Sequence, residues 1–234
     1  MSTPEPLPPS IYAESARPAA DTPPLDGSRR VSVAIVGGGF TGLSTALHLA
    51  EQSVDVTVLE AHEPGWGASG RNGGQVNPGL KHDPDEIESH FGKDLGRRMI
   101  DMSWNAPNVL FDLVKRYQIQ CEARQTGTLR AAYTPAAAQS IQTSYEQGAK
   151  RDMPVELLDR ARMQEATGTD RYTCALLDRR GGHVNPLGYA RGLAQAAVQA
   201  GARVHGATKV ERVSRQGGHW IIETGSGTVT AEKI

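Results

Sequence analysis

The stretch VSVAIVGGGFTGLSTALHLAEQSVDVTVLE, residues 31–60, reads as strand, glycine turn, helix, second strand and terminal acid. Val31, Val33, Ala34, Ile35 and Val36 make a short apolar run, the pattern of a strand buried on both faces. Gly37, Gly39 and Gly42 follow in G-x-G-x-x-G spacing. Leu43, Ala46, Leu47 and Ala50 then recur at the spacing of one helix face. Val54, Val56, Val58 and Leu59 form the second strand, and Glu60 ends it. Gly37 permits the turn off the strand, Gly39 lets a pyrophosphate approach the backbone, and Gly42 lets the helix pack close to the sheet. The helix N-terminus offers unpaired N–H groups and partial positive charge to that pyrophosphate. Glu60 lies about 20 residues on, where a carboxylate accepts hydrogen bonds from the adenosine ribose. The pattern predicts an ADP-containing dinucleotide, and an acid at position 60 argues against a 2′-phosphate. A buried strand–turn–helix with no ligand leaves unexplained three glycines where alanine would suit a helix start better.

The rest of the composition narrows the class. The chain has 234 residues, enough for a sizeable core and two domains, and its net charge is −1. Its 25 basic and 26 acidic residues are interspersed, which argues against a nucleic-acid groove or a basic membrane patch. Cys121 and Cys174 form no C-x-x-C and read as reduced thiols of a cytoplasmic protein. No apolar run approaches the roughly 18 residues needed to span a bilayer. The N-terminus has no basic region followed by an apolar core, so it does not read as a secretory signal. No metal-ligand pattern is present.

Residues 1–30 hold half of the chain's 14 prolines and read as an extended arm without helix or inner strand, disordered to about Pro9, with Ile11, Tyr12 and Leu25 able to pin it. After Glu60, residues 61–80 (AHEPGWGASGRNGGQVNPGL) are too rich in glycine for helix or strand, yet carry Trp66, Arg71, Asn72 and Gln75. Arg71 suits anionic charge, and the amides of Asn72 and Gln75 suit the edge of a flat ligand.

GGGFTGL, VTVLE and GWGASGRNGGQ together resemble the FAD-dependent oxidoreductases of the D-amino-acid oxidase superfamily, in the branch of gamma-glutamylputrescine oxidoreductase and glycine- and sarcosine-oxidase-like enzymes. The resemblance implies FAD rather than NAD. It implies an α/β fold: a Rossmann-like FAD-binding domain of glutathione-reductase type with an inserted α+β substrate domain. It carries phosphate and ribose binding onto Gly37, Gly39, Phe40, Thr41, Gly42 and Glu60. It places Ser69, Arg71, Asn72, Gly73, Gly74 and Gln75 beside the isoalloxazine ring, and a valine backbone, best matched by Val210, at the adenine. It implies oxidation of a small-molecule amine or amino acid, with hydride passing to flavin N5 and O2 or another acceptor reoxidising the flavin. It runs over residues 31–234 and covers about half of a family member, so the chain is expected to be C-terminally truncated. Only His62 among Cys and His lies in the 61–80 loop, so the flavin is expected to be non-covalent.

The remaining chain reads as follows. Residues 84–118 look helical, with Asp83 as N-cap, a break at Gly92–Gly96 and a kink at Pro107; Leu95, Met99, Met102, Ala106, Leu110, Leu113 and Tyr117 form the expected core stripe. Residues 120–133 read as a strand pair around Gly127. A helix is expected from Pro135 capped by Thr134, then strand Val155–Leu158, helix Arg160–Thr167 and a strand at Ala175–Leu177. Asn185 caps a helix whose face is Leu187, Ala190, Ala194, Ala197 and Val198. His183 reads as a polar strand-end residue in preference to a base. Ala202–Ser214 reads as two strands, Trp220–Glu223 and Thr228–Ala231 as a hairpin, and Glu232 as the start of a further strand. The expected organisation is arm 1–30, first FAD segment 31–82, substrate-domain segment 83–180, and return to the FAD domain 181–234. A monooxygenase-type flavoenzyme would lack the GASGRNGGQ loop. An NAD dehydrogenase would need its own catalytic domain downstream. A nucleotide-binding module without activity of its own is the non-enzymatic reading. The substrate, the catalytic base and the oligomeric state are not legible.

Overall fold

The computed structural model describes residues 5–234. In chain order the elements are α1 (Ile11–Ser15), β1 (Gly27–Val36), α2 (Phe40–Glu51), β2 (Val56–Leu59), β3 (Gln75–Val76), α3 (Pro84–Phe91) and α4 (Lys93–Arg116). There follow β4 (Thr128–Ala132), α5 (Pro135–Ala149), β5 (Val155–Leu158), α6 (Arg160–Thr167), β6 (Cys174–Asp178) and β7 (Gly182–His183). The last elements are α7 (Pro186–Gln199), β8 (Arg203–His205), β9 (Val210–Gln216), β10 (His219–Thr224) and β11 (Gly227–Lys233). A 3-10 turn lies at Ala68–Gly70. The chain forms two compact units. One takes the residues up to Gly74 with Val114–Glu122 and Val184–Ile234; the other takes Gln75–Leu113 and Ala123–His183.

The first unit is built on a sheet of order β8-β2-β1-β11-β10-β9. β8, β2, β1 and β11 run parallel, while β10 and β9 add on as antiparallel strands. β2 is buried at all four positions, as its apolar run requires. β1 is less enclosed: Val36 is 50% exposed beside the glycine turn, so only part of the expected two-faced burial occurs. α2 buries Leu43, Ala46, Leu47 and Ala50 and packs against α7. α7 starts where the Asn185 side chain accepts from the Gly188 N–H, and it buries Leu187, Ala190, Ala194 and Ala197. Val198 instead stands 39% exposed. The expected hairpin forms between β10 and β11, and β11 runs on through Lys233 beside β1, so no separate strand begins at Glu232.

The arm departs furthest from expectation. Ser10 caps a single helical turn, α1, through the Ala13 N–H, and β1 begins at Gly27 rather than Val31. One turn fits between Pro9 and Pro18 because neither proline lies inside it. Leu25 is 1% exposed and joins the core cluster of Val31, Ala34, Leu59, Ile222, Val229 and Ala231, whereas Ile11 is 72% exposed. The disorder expected to about Pro9 falls partly on residues 1–4, outside the described residues.

The second unit has an antiparallel sheet of order β4-β6-β5. Ile141 of α5 packs on Ala132 and Leu176, and Met163 of α6 on Leu158 and Ala175. Thr134 caps α5 through the Ala137 N–H. Asp83 stands at the N-cap of α3 but makes no cap bond; its carboxylate accepts the Ser144 hydroxyl. α4 buries Gly96, Ile100, Trp104, Pro107 and Leu113; of the expected stripe Leu113 is buried and Met99 packs on Ile87, Ile100 and Trp104, while Leu95 and Met102 stand exposed. At the start of α4 the helix α3 comes close: a Cβ on Gly96 would lie 2.8 Å from the Glu88 Cα, so glycine is needed there. Residues 120–127 form no strand; Arg124 makes an isolated bridge to His183, and β4 pairs with β6.

Burial of Leu25 makes the arm part of the first unit's core. Leu25→Ala is expected to lower unfolding stability in urea by about 2–4 kcal/mol. A loss under about 0.5 kcal/mol, the range of surface substitutions, would contradict that placement.

Candidate functional site

The site grows from the turn between β1 and α2. Gly37 has φ +101°, which a side chain would strain, and its N–H donates to the Leu59 carbonyl at 2.9 Å. A Cβ on Gly42 would overlap the Gly37 carbonyl oxygen, so the helix can start this close to the strand only with glycine there. Gly39 is the N-cap of α2 and offers no side-chain cap. The Phe40 N–H donates instead to the Ser69 hydroxyl at 3.0 Å, and a Cβ on Gly39 would meet that oxygen at 2.8 Å. The N–H groups of Thr41 and Gly42, in the same first turn, have no intrahelical acceptor. They form, with the helix dipole, a seat for an anion.

Glu60 follows the end of β2, and both its oxygens are held. The Gly38 N–H donates to Oε2 at 2.6 Å and the His62 N–H to Oε1 at 2.9 Å. Its backbone is held as well: the Glu60 N–H donates to the His205 carbonyl at 2.9 Å, and the Thr208 N–H donates to the Glu60 carbonyl at 2.7 Å. Each carboxylate oxygen keeps a lone pair for a further donor. A carboxylate fixed beside an uncapped helix N-terminus suits a ligand with adjacent hydroxyls at one end and an anion next to them. FAD fits on this ground: a ribose diol would face Glu60 and a pyrophosphate the first turn of α2.

The glycine-rich loop folds on itself. Asn72 donates its amide to the Ala68 and Ser69 carbonyls and accepts from the Gly74 N–H. The Arg71 guanidinium lies 4.6 Å from the Trp66 ring centroid, and Nε donates to the Gly67 carbonyl. The Trp66 ring stacks on His62 at 4.0 Å. Gly74 carries no side chain because a Cβ would overlap the Val184 carbonyl oxygen, while Gly73 faces open space. Gln75 stands in the second unit, exposed, in β3 opposite His183, which is also exposed. The side chain of Val210 packs on the core cluster that contains Leu59.

The structure thus gathers Gly37, Gly39, Phe40, Gly42, Glu60 and Ser69 at one strand end, with Thr41 exposed on the same helical turn. Sequence reasoning missed Gly38, His62 and Thr208. Gly38 could have been read from the unbroken glycine triplet, since a Cβ there would lie 3.1 Å from the Glu60 Cβ. Nothing in the pattern marks the other two. From the same helix start, the Phe40 ring packs edge-on to Tyr189 of α7 at 5.3 Å. Burial pushes the Tyr189 phenol well above its usual range, with Cys121 adding to the shift, so it stays protonated. Among the described residues no group of three or more His, Cys, Asp or Glu is placed to hold a metal, and no helix is long and apolar enough to cross a membrane.

Replacing one Glu60 oxygen by an amide turns a donor toward a backbone N–H. Glu60→Gln is expected to cost about 1–2 kcal/mol in urea unfolding. An unchanged midpoint would contradict the clamp.

Comparison with known proteins bears on this geometry. The family described as FAD dependent oxidoreductase (DAO) matches residues 32–234. Gamma-glutamylputrescine oxidoreductase of Escherichia coli is 39% identical over 227 residues, 96% of this chain and 53% of that protein. A probable oxidoreductase of Rhizobium meliloti is 35% identical over 213 residues, 90% of this chain and 50% of its own length. The crystal structure of glycine oxidase from Geobacillus kaustophilus superposes with TM-score 0.70 at 25% identity, covering 87% of this chain and 54% of that one. An L-amino acid deaminase from Proteus myxofaciens shares the fold, with TM-score 0.75 at 19% identity, over 93% of this chain and 47% of that one. The chain spans about half the length of the curated relatives it matches. With the family matched over nearly all of its length, the chain belongs to the DAO family of FAD-dependent oxidoreductases.

Proposed function

We propose that this chain is the FAD-holding part of a cytoplasmic oxidoreductase that oxidises an amine or amino acid at the carbon next to nitrogen. The observation that carries the reading is the Glu60 carboxylate, clamped by Gly38 and His62 beside the open first turn of α2. The chemistry that FAD supplies when bound is acceptance of a hydride from that carbon, after which water hydrolyses the imine. On this reading Glu60 accepts from the ribose, and the N–H groups of Thr41 and Gly42 neutralise the pyrophosphate. Ser69 holds the loop of residues 67–74 against the helix start, and the Val210 backbone meets the adenine. Asn72 shapes that loop so that Gly73 and Gly74 present backbone rather than side chains to the flat ring. Arg71, spread over Trp66, supplies positive charge to the same loop. The second unit serves as part of the substrate domain, and Gln75 lies at its start. The acceptor that regenerates the cofactor is O2 or another oxidant.

Amine oxidation is favoured over alcohol oxidation by the relatives: gamma-glutamylputrescine oxidoreductase and glycine oxidase are named for nitrogen-bearing substrates. Glycerol-3-phosphate dehydrogenase 1 of Mycobacterium tuberculosis matches at only 29% over 104 residues. The test loads the chain with FAD and follows the visible flavin band anaerobically. Polyamines, gamma-glutamylated polyamines, glycine and sarcosine are added in turn, with glycerol 3-phosphate as the contrast. Bleaching by an amine and none by glycerol 3-phosphate is expected; the reverse pattern would overturn the reading.

A further inference from the structure

The N-terminal arm precedes the family match, which begins at residue 32, yet between Pro6 and Leu25 it is tied at several points to the rest of the first unit. The Trp66 indole donates to the Pro6 carbonyl at 3.2 Å, the Asn185 amide to the Ser15 hydroxyl at 3.0 Å, and Arg191 to the Arg17 carbonyl at 2.8 Å. The bonds crowd at residues 22–25. The Gly206 N–H donates to the Thr22 carbonyl at 3.0 Å, His205 Nδ1 lies 3.0 Å from the Pro23 carbonyl, and the Leu25 N–H donates to Thr208 Oγ1 at 2.9 Å. Burial holds the His205 imidazole below its usual pKa, while the contact with the Pro23 carbonyl works against that shift.

Thr208 is the junction. It is 1% exposed, and its hydroxyl accepts from Leu25 and donates to the Gly206 carbonyl at 2.8 Å. Its N–H donates to the Glu60 carbonyl, and the next residue back, Ala207, donates to the His62 carbonyl at 2.6 Å. Residues 205–208 therefore bracket residues 60–62, which supply the carboxylate of the clamp and one of its two donors. A buried hydroxyl carries a desolvation cost unless both its bonds are made. Valine would fill the same volume without that cost, so packing alone does not account for threonine here.

We propose that Thr208 is a positioning residue for Glu60, and that arm residues 22–25 hold it in place, so that the arm is a strap for the adenosine end of the dinucleotide site. The proposal rests on the reading of that site as the FAD site. The arm acts through two linked sets of bonds. Leu25 fixes the hydroxyl, the hydroxyl fixes the 206–208 turn, and the turn fixes the backbone on which Glu60 and His62 stand.

The test uses the full chain with Thr208→Val, Thr208→Ser and Thr208→Ala. The alanine variant removes the hydroxyl without adding a methyl against the buried surroundings. Two readouts are taken: amide exchange at Leu25 and His62 without cofactor, and FAD titration. Thr208→Val and Thr208→Ala are expected to speed exchange at both amides about tenfold and to weaken FAD binding about tenfold, while Thr208→Ser stays within about twofold. Faster exchange at Leu25 with none at His62 would overturn the proposal, as would a serine variant as impaired as valine. An unaltered chain that takes up no FAD would strike at the cofactor reading instead, and exchange at His62 would still decide the role of Thr208.

Discussion

The Glu60 carboxylate, gripped by the N–H groups of Gly38 and His62, is the interaction on which the first unit turns. It joins three segments of sequence: the glycine turn after β1, the end of β2 and the start of the loop that follows. For the grip to form, the turn must come within hydrogen-bond distance of the next strand end. Gly37 with its positive φ and Gly42 against the Gly37 carbonyl allow this. A charge-assisted pair of hydrogen bonds at a strand end is stronger than a neutral pair and directional. It leaves the carboxylate with capacity for a ligand and sets it beside an anion-accepting helix terminus.

Around this clamp the chain has placed supports that differ in kind. Ser69 reaches back from the loop to the first N–H of α2, so loop and helix start share one bond. Asn72 curls the loop through its own backbone, and Trp66 stacks between the loop and His62. The segment from His205 to Thr208 and the arm close the other side. The second unit, taken alone, is a small antiparallel sheet covered by α5 and α6, with α3 and α4 packed through Gly96.

The cofactor end was legible because its physics is local. Strand, glycine turn and helix face lie within 20 residues of one another, each with its own period, and the acid follows the second strand. The helix caps at Thr134 and Asn185 were legible for the same reason. Long-range contacts were not. Apolar spacing in α4 admits two faces, and the buried one is seen only in its contacts with other elements, such as Ile87, Met153 and Val155 against Ile100 and Trp104. Prolines in the arm suggest no helix, yet one turn forms between Pro9 and Pro18, and they say nothing of Leu25, whose burial depends on Val31, Ala34 and Leu59 together with Ile222, Val229 and Ala231 from strands about 200 residues away. Arg124 bridges His183 rather than a neighbour in sequence, which no local pattern announces. Thr208 looks like any loop threonine until the Leu25 N–H is seen upon it.

If the glycine turn and Glu60 form a working FAD site, these residues alone hold the cofactor. The most direct measurement is the visible absorption spectrum of the purified chain, incubated with FAD and then desalted, with its circular dichroism recorded in parallel. A flavin band that persists through desalting is expected. A chain that is folded by circular dichroism yet colourless would contradict it.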